Sequence, residues 1–465
     1  MTVGLVSRQA LPSRTSIAVI ALVMAAYGAV FAHVPWPHTD LANALQQAED
    51  LTWGRTIGGA FGGGVEYRPI MIVATKAAYE IIGLHLWVYK TLVLLEFAAV
   101  LWLLLVLWQP AGWRRITAAL VALACVVGLH SSRVLFLFLP LNGGTISIFL
   151  ILFAVLLIVE PAGRQWEWWF IPLTLGAVLL VEYGALIVPL VLAGWWLRAP
   201  GVSWRAALAT LAGFSLYVLL RRSLGTSVGW AVYTETGLGF DDVRPEQITA
   251  IFAHAPWLFW LHNVAVSILT VVLSEPRAGK FKFVSAVLRG QAFDWQWLHV
   301  LSSLATTAVV IGVMAGRGLL PPRDRLIATL GAVLLFAGSA LGFLYTRDRI
   351  ALPSGFGYAM IVYVAVAALL ERTSWPGPRA ILAIVLVAAL AVCWSWRSVE
   401  AAVVLRDRAW SYYLEWTTRY HIDGDETPLL RNLRLRVISH RPPDPRRDPA
   451  WTYRWFEREF DRLPD

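Results

Sequence analysis

Charge is scarce in this chain, and the scarcity excludes most soluble architectures. Only 15% of the 465 residues are Asp, Glu, Lys or Arg, against about 25% in an ordinary soluble domain. The deficit is not local, because apolar runs recur from Ser16 to Trp396 and the mean hydropathy is +0.62. An outer-membrane barrel would show alternating segments of about ten residues, and these runs do not alternate. The expected class is therefore an all-α polytopic membrane protein. Cysteine is scarce too. Cys125 and Cys393 both lie inside apolar runs and read as small core residues, with no disulfide or metal site implied. The histidines show no HxxxH or HExxH spacing, and His254 and His262, eight residues apart, give only a weak metal signal. No Walker A, dinucleotide fingerprint or nucleophile elbow is present; the string "GGAFGGG" lacks the lysine of a phosphate loop and precedes no strand. Acidic residues lag basic ones, for a formal charge of +9. In a membrane protein that sign points to cytoplasmic loops and anionic membrane lipids, and no nucleic-acid partner is expected.

Tryptophan is abundant, with 24 residues, many at the ends of apolar runs, as interfacial belts require. Candidate spans are 16–34, 88–108, 115–132, 143–159, 167–181, 182–197, 205–220, 296–315, 326–345, 353–371 and 378–396. Residues 70–87, with Lys76, Glu80 and His85, read as an amphipathic or shallow helix, and 257–274, with His262 and Asn263, as a span or an interfacial segment. The expectation is thus about 11–13 transmembrane helices. The short pair 167–197, broken at Glu182-Tyr183-Gly184, has the alternative of being one bent element. The first run follows Arg8 and Arg14 like a signal peptide, but at about eighteen residues it exceeds a usual signal core and reads as an uncleaved span.

Orientation follows the basic residues at helix ends. The N-terminus falls in the cytoplasm, with Arg114, Arg115, Arg164, Arg198, Arg205, Arg317, Arg323 and Arg325 on the same side, provided that neither 70–87 nor 257–274 crosses. Segments 35–87, 221–295 and 346–352 and the tail then lie outside an inner or plasma membrane. Two regions are expected: a membrane domain, 1–397, whose first outer loop, 35–87, holds amphipathic helices, and a basic, aromatic tail, 398–465, forming a short helical extramembrane segment.

Four constellations carry chemistry. Asp40, about six residues past the first span, can take a proton from an attacking hydroxyl, or cap the short helix that "HTDLANALQQAEDL" spells. "EYRP" sets Arg68 beside a proline at a helix start, where guanidinium and helix N-terminus both favour an anion; the plainer reading is an interfacial anchor. Arg347 and Arg349 flank Asp348 in "YTRDRIALPSGFGY", on the side where basic residues are not expected, which suggests phosphate binding or a local ion pair. Glu96 and Glu182 sit inside apolar runs, where a carboxylate is costly and is either functional or paired.

The order of these signals resembles the GT-C glycosyltransferases: a span, an outer aspartate, a glycine-rich loop, "YRP", then the short helix "IMIVATKAAYEIIG" and the span beginning "LWVYKTLVLLEF". That group includes protein O-mannosyltransferases, lipid A aminoarabinose transferases and membrane proteins with a "YRPL" motif. The resemblance implies a polyprenyl-phosphate-linked sugar as donor and a lipid, glycan or protein of the cell envelope as acceptor. It implies Asp40 as the catalytic carboxylate and Arg68, Arg347 and Arg349 as donor-phosphate ligands, with Glu49, Asp50, Glu66, Tyr67 and Glu182 supporting. No cofactor is required; a divalent metal is compatible with these carboxylates, but nothing in the sequence calls for one. The chain departs from the pattern where many relatives carry an acidic pair in the first loop, or a Lys-Glu pair where this chain reads Val181-Glu182-Tyr183. The alternatives are a multi-pass transporter or lipid flippase using Glu96 and Glu182, and a non-catalytic envelope assembly protein.

Overall fold

The computed structural model describes residues 14–32, 39–62, 67–83, 85–132, 143–161, 164–224, 236–238, 241–243, 256–276, 281–291, 295–316, 320–343, 345–346, 348–372 and 377–419. These are almost all helical, so the fold is all-α. The helices of the N-terminal half are α1 (Arg14–Ala32), α2 (Thr39–Asp50), α3 (Trp53–Phe61), α4 (Pro69–Ile82), α5 (Leu86–Trp108), α6 (Gly112–Gly128), α7 (Gly143–Val159), α8 (Phe170–Leu180), α9 (Ile187–Trp196) and α10 (Trp204–Ser223). There follow α11 (Pro256–Val272), α12 (Lys282–Leu288), α13 (Trp295–Ala315), α14 (Pro322–Ala340), α15 (Leu352–Arg372) and α16 (Pro378–Arg419). Three short strands, β1 (Thr236–Leu238), β2 (Asp241–Val243) and β3 (Tyr345–Thr346), form one small sheet in which β1 pairs antiparallel with β2 and parallel with β3.

Four segments among the described residues are long and apolar enough to cross a membrane: Trp87–Trp108, Trp297–Ala315, Leu352–Arg372 and Pro378–Val404. Of these, α15 is the axis of the bundle, with 94% of its apolar window buried by neighbouring helices. Small residues let α14 lie against it. A Cβ on Gly357 would fall 2.5 Å from the Gly331 carbonyl, and one on Gly331 would fall 2.7 Å from the Gly357 carbonyl. Such close backbone approach is how apolar helices pack when lipid removes the hydrophobic drive between them.

A collar of ion pairs gathers six helix ends. Arg115, at the start of α6, reaches Asp324 at the start of α14 (2.9 Å) and Glu371 at the end of α15 (2.7 Å). Arg323 reaches Glu160 past the end of α7 (2.7 Å) and the Leu107 carbonyl near the end of α5 (2.9 Å). Arg372 donates to the Gly316 carbonyl past α13 (3.2 Å). Exposed tryptophans stand at this end: Trp113, Trp168, Trp169, Trp195, Trp196 and Trp204, with Arg114 and Arg205 over the rings of Trp113 and Trp204. Apolar rings beside guanidinium groups form the kind of belt that sits at a headgroup layer.

Residues 167–197 are one hairpin. The Arg164–Trp169 turn leads from the collar into α8, a 3-10 turn over Glu182–Leu186 forms the tip, and α9 returns to Trp195 and Trp196. At the tip, Gly184 lies so close to α8 that a Cβ there would fall 2.2 Å from the Ala177 carbonyl carbon. Gly143, which begins α7, meets the Leu180 carbonyl. The tip is therefore level with the end of α7 remote from the collar, about 25 Å along the 17-residue helix.

Segment 257–274 does not traverse the bundle. Asn263 of α11 donates to the Phe343 carbonyl past the far end of α14 (3.0 Å), while the Val272 carbonyl accepts from Thr307, midway along α13 (2.6 Å). Chain direction reverses there, at Ser274 to Pro276. At the C-terminus, α16 passes unbroken through the change of composition at residue 398 and continues to Arg419.

Candidate functional site

The far end, opposite the collar, holds the charged groups that structure alone does not account for. Pro69 begins α4, where its missing N–H costs nothing, and this sets Arg68 just before the helix. From there the guanidinium crosses to the hairpin tip. Its Nε and Nη2 both donate to Glu182 Oε2, at 3.1 and 2.9 Å. The two residues are 114 positions apart in sequence, and both side chains are about a quarter to a third exposed. Solvent screening keeps such a pair to about 1 kcal/mol, so its worth lies in orientation. The guanidinium is aimed by this pair, and Glu182 Oε1 takes no hydrogen bond from the described residues.

Tyr67 completes this corner. It is 1% exposed, and its ring packs against Tyr217 of α10 at 6.1 Å. Its hydroxyl is buried with no hydrogen-bond partner among the described residues. Burial, with Tyr217 nearby, pushes the Tyr67 phenol above its ordinary value against the pull of Arg221. Among the described residues it is a neutral donor without an acceptor, and a buried polar group in that state costs about 1–3 kcal/mol. One turn beyond Tyr217, Arg221 donates to the Tyr217 hydroxyl at 3.0 Å. Two guanidinium groups, one carboxylate and a phenol with no partner among the described residues thus share one corner, a set suited to an anionic oxygen ligand.

The first loop is braced against this corner. Lys76 of α4 donates to the Ala48 carbonyl of α2 (2.6 Å) and pairs with Glu80, so α2 is held on α4, and α4 packs on α8. Asp40 lies in the first turn of α2; its side chain is outside the described residues. Glu49 and Asp50 are exposed at the other end of α2, about 15 Å along the helix from Asp40. Glu66 and Arg347 lie outside the described residues. Arg349 lies in the 3-10 turn Asp348–Ala351 leading into α15, with its side chain outside the described set. Of the residues singled out from sequence, the structure brings Arg68, Tyr67 and Glu182 together. Among the described residues no group of three or more His, Cys, Asp or Glu is placed to hold a metal ion.

Sequence reasoning missed Tyr217 and Arg221. Their i, i+4 spacing at the end of a span was the available signal, but it became meaningful only when α10 was seen to pack beside α8. Also missed was a buried cluster of His130, His299, Arg397 and Glu400. No family model, curated protein or solved structure matches the chain.

Proposed function

We propose that this protein is a membrane glycosyltransferase of the GT-C type. It moves a sugar from a polyprenyl-phosphate donor to an envelope glycan, lipid or protein. The observation that supports this most is the Arg68–Glu182 pair, which ties the first loop to the hairpin tip beside a Tyr67 hydroxyl that has no partner among the described residues. In this reading the acceptor oxygen attacks the anomeric carbon and its proton passes to Asp40. The bond from that carbon to the phosphate oxygen breaks, and the electron pair stays on the phosphate. Arg68 and Arg221 oppose the charge that develops there, joined by Arg347 and Arg349 as the resemblance implies. Glu182 is a positioning residue that holds Arg68 in place. A general base supplies roughly 10²–10⁴-fold, so alignment and charge stabilisation supply the remainder. The collar, with its arginines and tryptophans, lies at the cytoplasmic face, and transfer takes place at the outer face.

The test is complementation of a deletion strain with wild type and Asp40→Asn, followed by intact-mass analysis of envelope glycans and lipid-linked sugars. Loss of one sugar addition in the deletion, unrepaired by normally expressed Asp40→Asn, is the expected result, and the missing mass names the sugar. Full restoration by Asp40→Asn makes Asp40 a helix cap and overturns the catalytic assignment. One observation favours the transport reading: Glu182 sits at a break between two short apolar helices, where transporters place substrate and ion sites. Loss of function on Glu96→Gln and Glu182→Gln but not on Asp40→Asn would select it.

A further inference from the structure

A second ionic cluster lies at the far end, built from α6, α13, α16 and the turn after α11. Arg397 is completely buried in α16. Its guanidinium donates to the hydroxyls of Ser274 (2.6 Å), Ser303 (2.8 Å) and Ser302 (3.0 Å) and to the His299 carbonyl (3.1 Å). It also stacks over the Trp394 ring at 3.7 Å. All four of these acceptors are neutral. Glu400, one turn further along the same face of α16, turns to a different partner: its Oε2 lies within ion-pair reach of His299 Nε2, a pair that carries charge only when the imidazole is protonated. The His299 ring stacks on His130 at 5.1 Å with an interplanar angle of 20°. The two imidazoles are 2% and 4% exposed, while the Glu400 side chain is 29% exposed, so Glu400 connects the buried pair to solvent.

We propose that His130, His299 and Glu400 form a binding site for a single proton, whose occupancy sets how firmly α16 is tied to α13. A neutral His299 presents Glu400 with no opposite charge. A protonated His299 makes the contact an ion pair, and charge-assisted contacts are roughly twice as strong as neutral ones. A second proton on His130 would set two imidazolium rings face to face beside the Arg397 cation, and Coulomb repulsion in a partly dry site opposes that. The other titratable groups packed around the cluster are Cys125 on α6, Tyr358 on α15 and Glu275 after α11. Glu275 accepts from the Phe283 N–H (2.9 Å) and Tyr358 shares a hydrogen bond with Thr307 (2.7 Å). The thiol and phenol stay neutral where imidazoles titrate. The tie is therefore strongest where imidazole is protonated and carboxylate ionised, and weakens as pH rises through the imidazole range. Because α16 continues unbroken to Arg419, loosening it acts on the extension beyond the apolar segment.

The experiment uses the full chain in lipid nanodiscs, with thermal midpoints recorded from pH 5 to 8. Wild type, His299→Gln, Glu400→Gln and the double variant are compared, with His85→Gln as an exposed-histidine control. The wild-type midpoint is expected to be higher on the acidic side by about 2 °C. Each single variant should lose this difference, the double variant should lose no more, and His85→Gln should keep it. A midpoint that ignores pH, or a pH profile that His299→Gln leaves intact, overturns the proposal. Should His299→Gln not fold, His130→Asn and Glu400→Gln carry the same test: loss of the pH difference in both supports the site, and its survival in either removes it.

Discussion

The two ends of the bundle both concentrate charge, but they spend it differently. At the collar, Arg115 meets two carboxylates and Arg323 meets a carboxylate and a backbone carbonyl. At the far end, Arg68 ties the first loop to the hairpin tip through Glu182, the Tyr67 hydroxyl meets nothing among the described residues, and His299 lies against a carboxylate whose side chain is partly exposed. The collar guanidinium groups join helix ends to one another. Partly satisfied groups carry a cost that persists for a reason other than packing.

That comparison can be broken from the collar side first. Arg115→Ala leaves Asp324, 4% exposed, without its main cation, and we expect a loss of about 3 kcal/mol, read as a lower thermal midpoint and poorer yield. Next is Gly184→Ala, whose Cβ would strike the Ala177–Val178 backbone. Overpacking of this kind costs about 1–3 kcal/mol, and if the tip positions Arg68, activity should fall by more than stability does. Arg68→Glu combined with Glu182→Arg sharpens the contrast. At a structural pair the swap restores the midpoint and the function; at a ligand site it restores at most the midpoint, because the cation then starts from the wrong element. The smallest effect is expected for Glu371→Gln, a half-exposed partner of a cation that keeps Asp324. Its cost should stay within about 1 kcal/mol with activity unchanged, and a large loss of activity there would erase the distinction between the ends.

The first loop and the hairpin mark where sequence reading succeeds and where it stops. Pro69 before an apolar-periodic stretch, with Gly83 at φ +64 closing it, announces α4 locally, because helix signals act over a few residues. Breaking charges in 167–197 announced a break, but not that its tip would meet Arg68. His130 and His299 carry no local mark: each stands at the margin of an apolar run, and only the packing of α16 against both α6 and α13 puts their rings in contact. Pairings across more than a hundred residues leave no periodicity to read.

By itself, then, the sequence determined the all-α class, with helices apolar enough to cross a membrane, and the amphipathic helices after the first apolar segment. Hydropathy, proline and glycine act through the solvent and the local backbone, and need no knowledge of neighbours. Tertiary structure alone decided that 167–197 is a hairpin, that 257–274 turns back beside α13, and that Arg68, Glu182, Tyr217 and Arg221 share a corner. Those outcomes depend on which distant helix satisfies a costly buried charge, and that choice is made by packing.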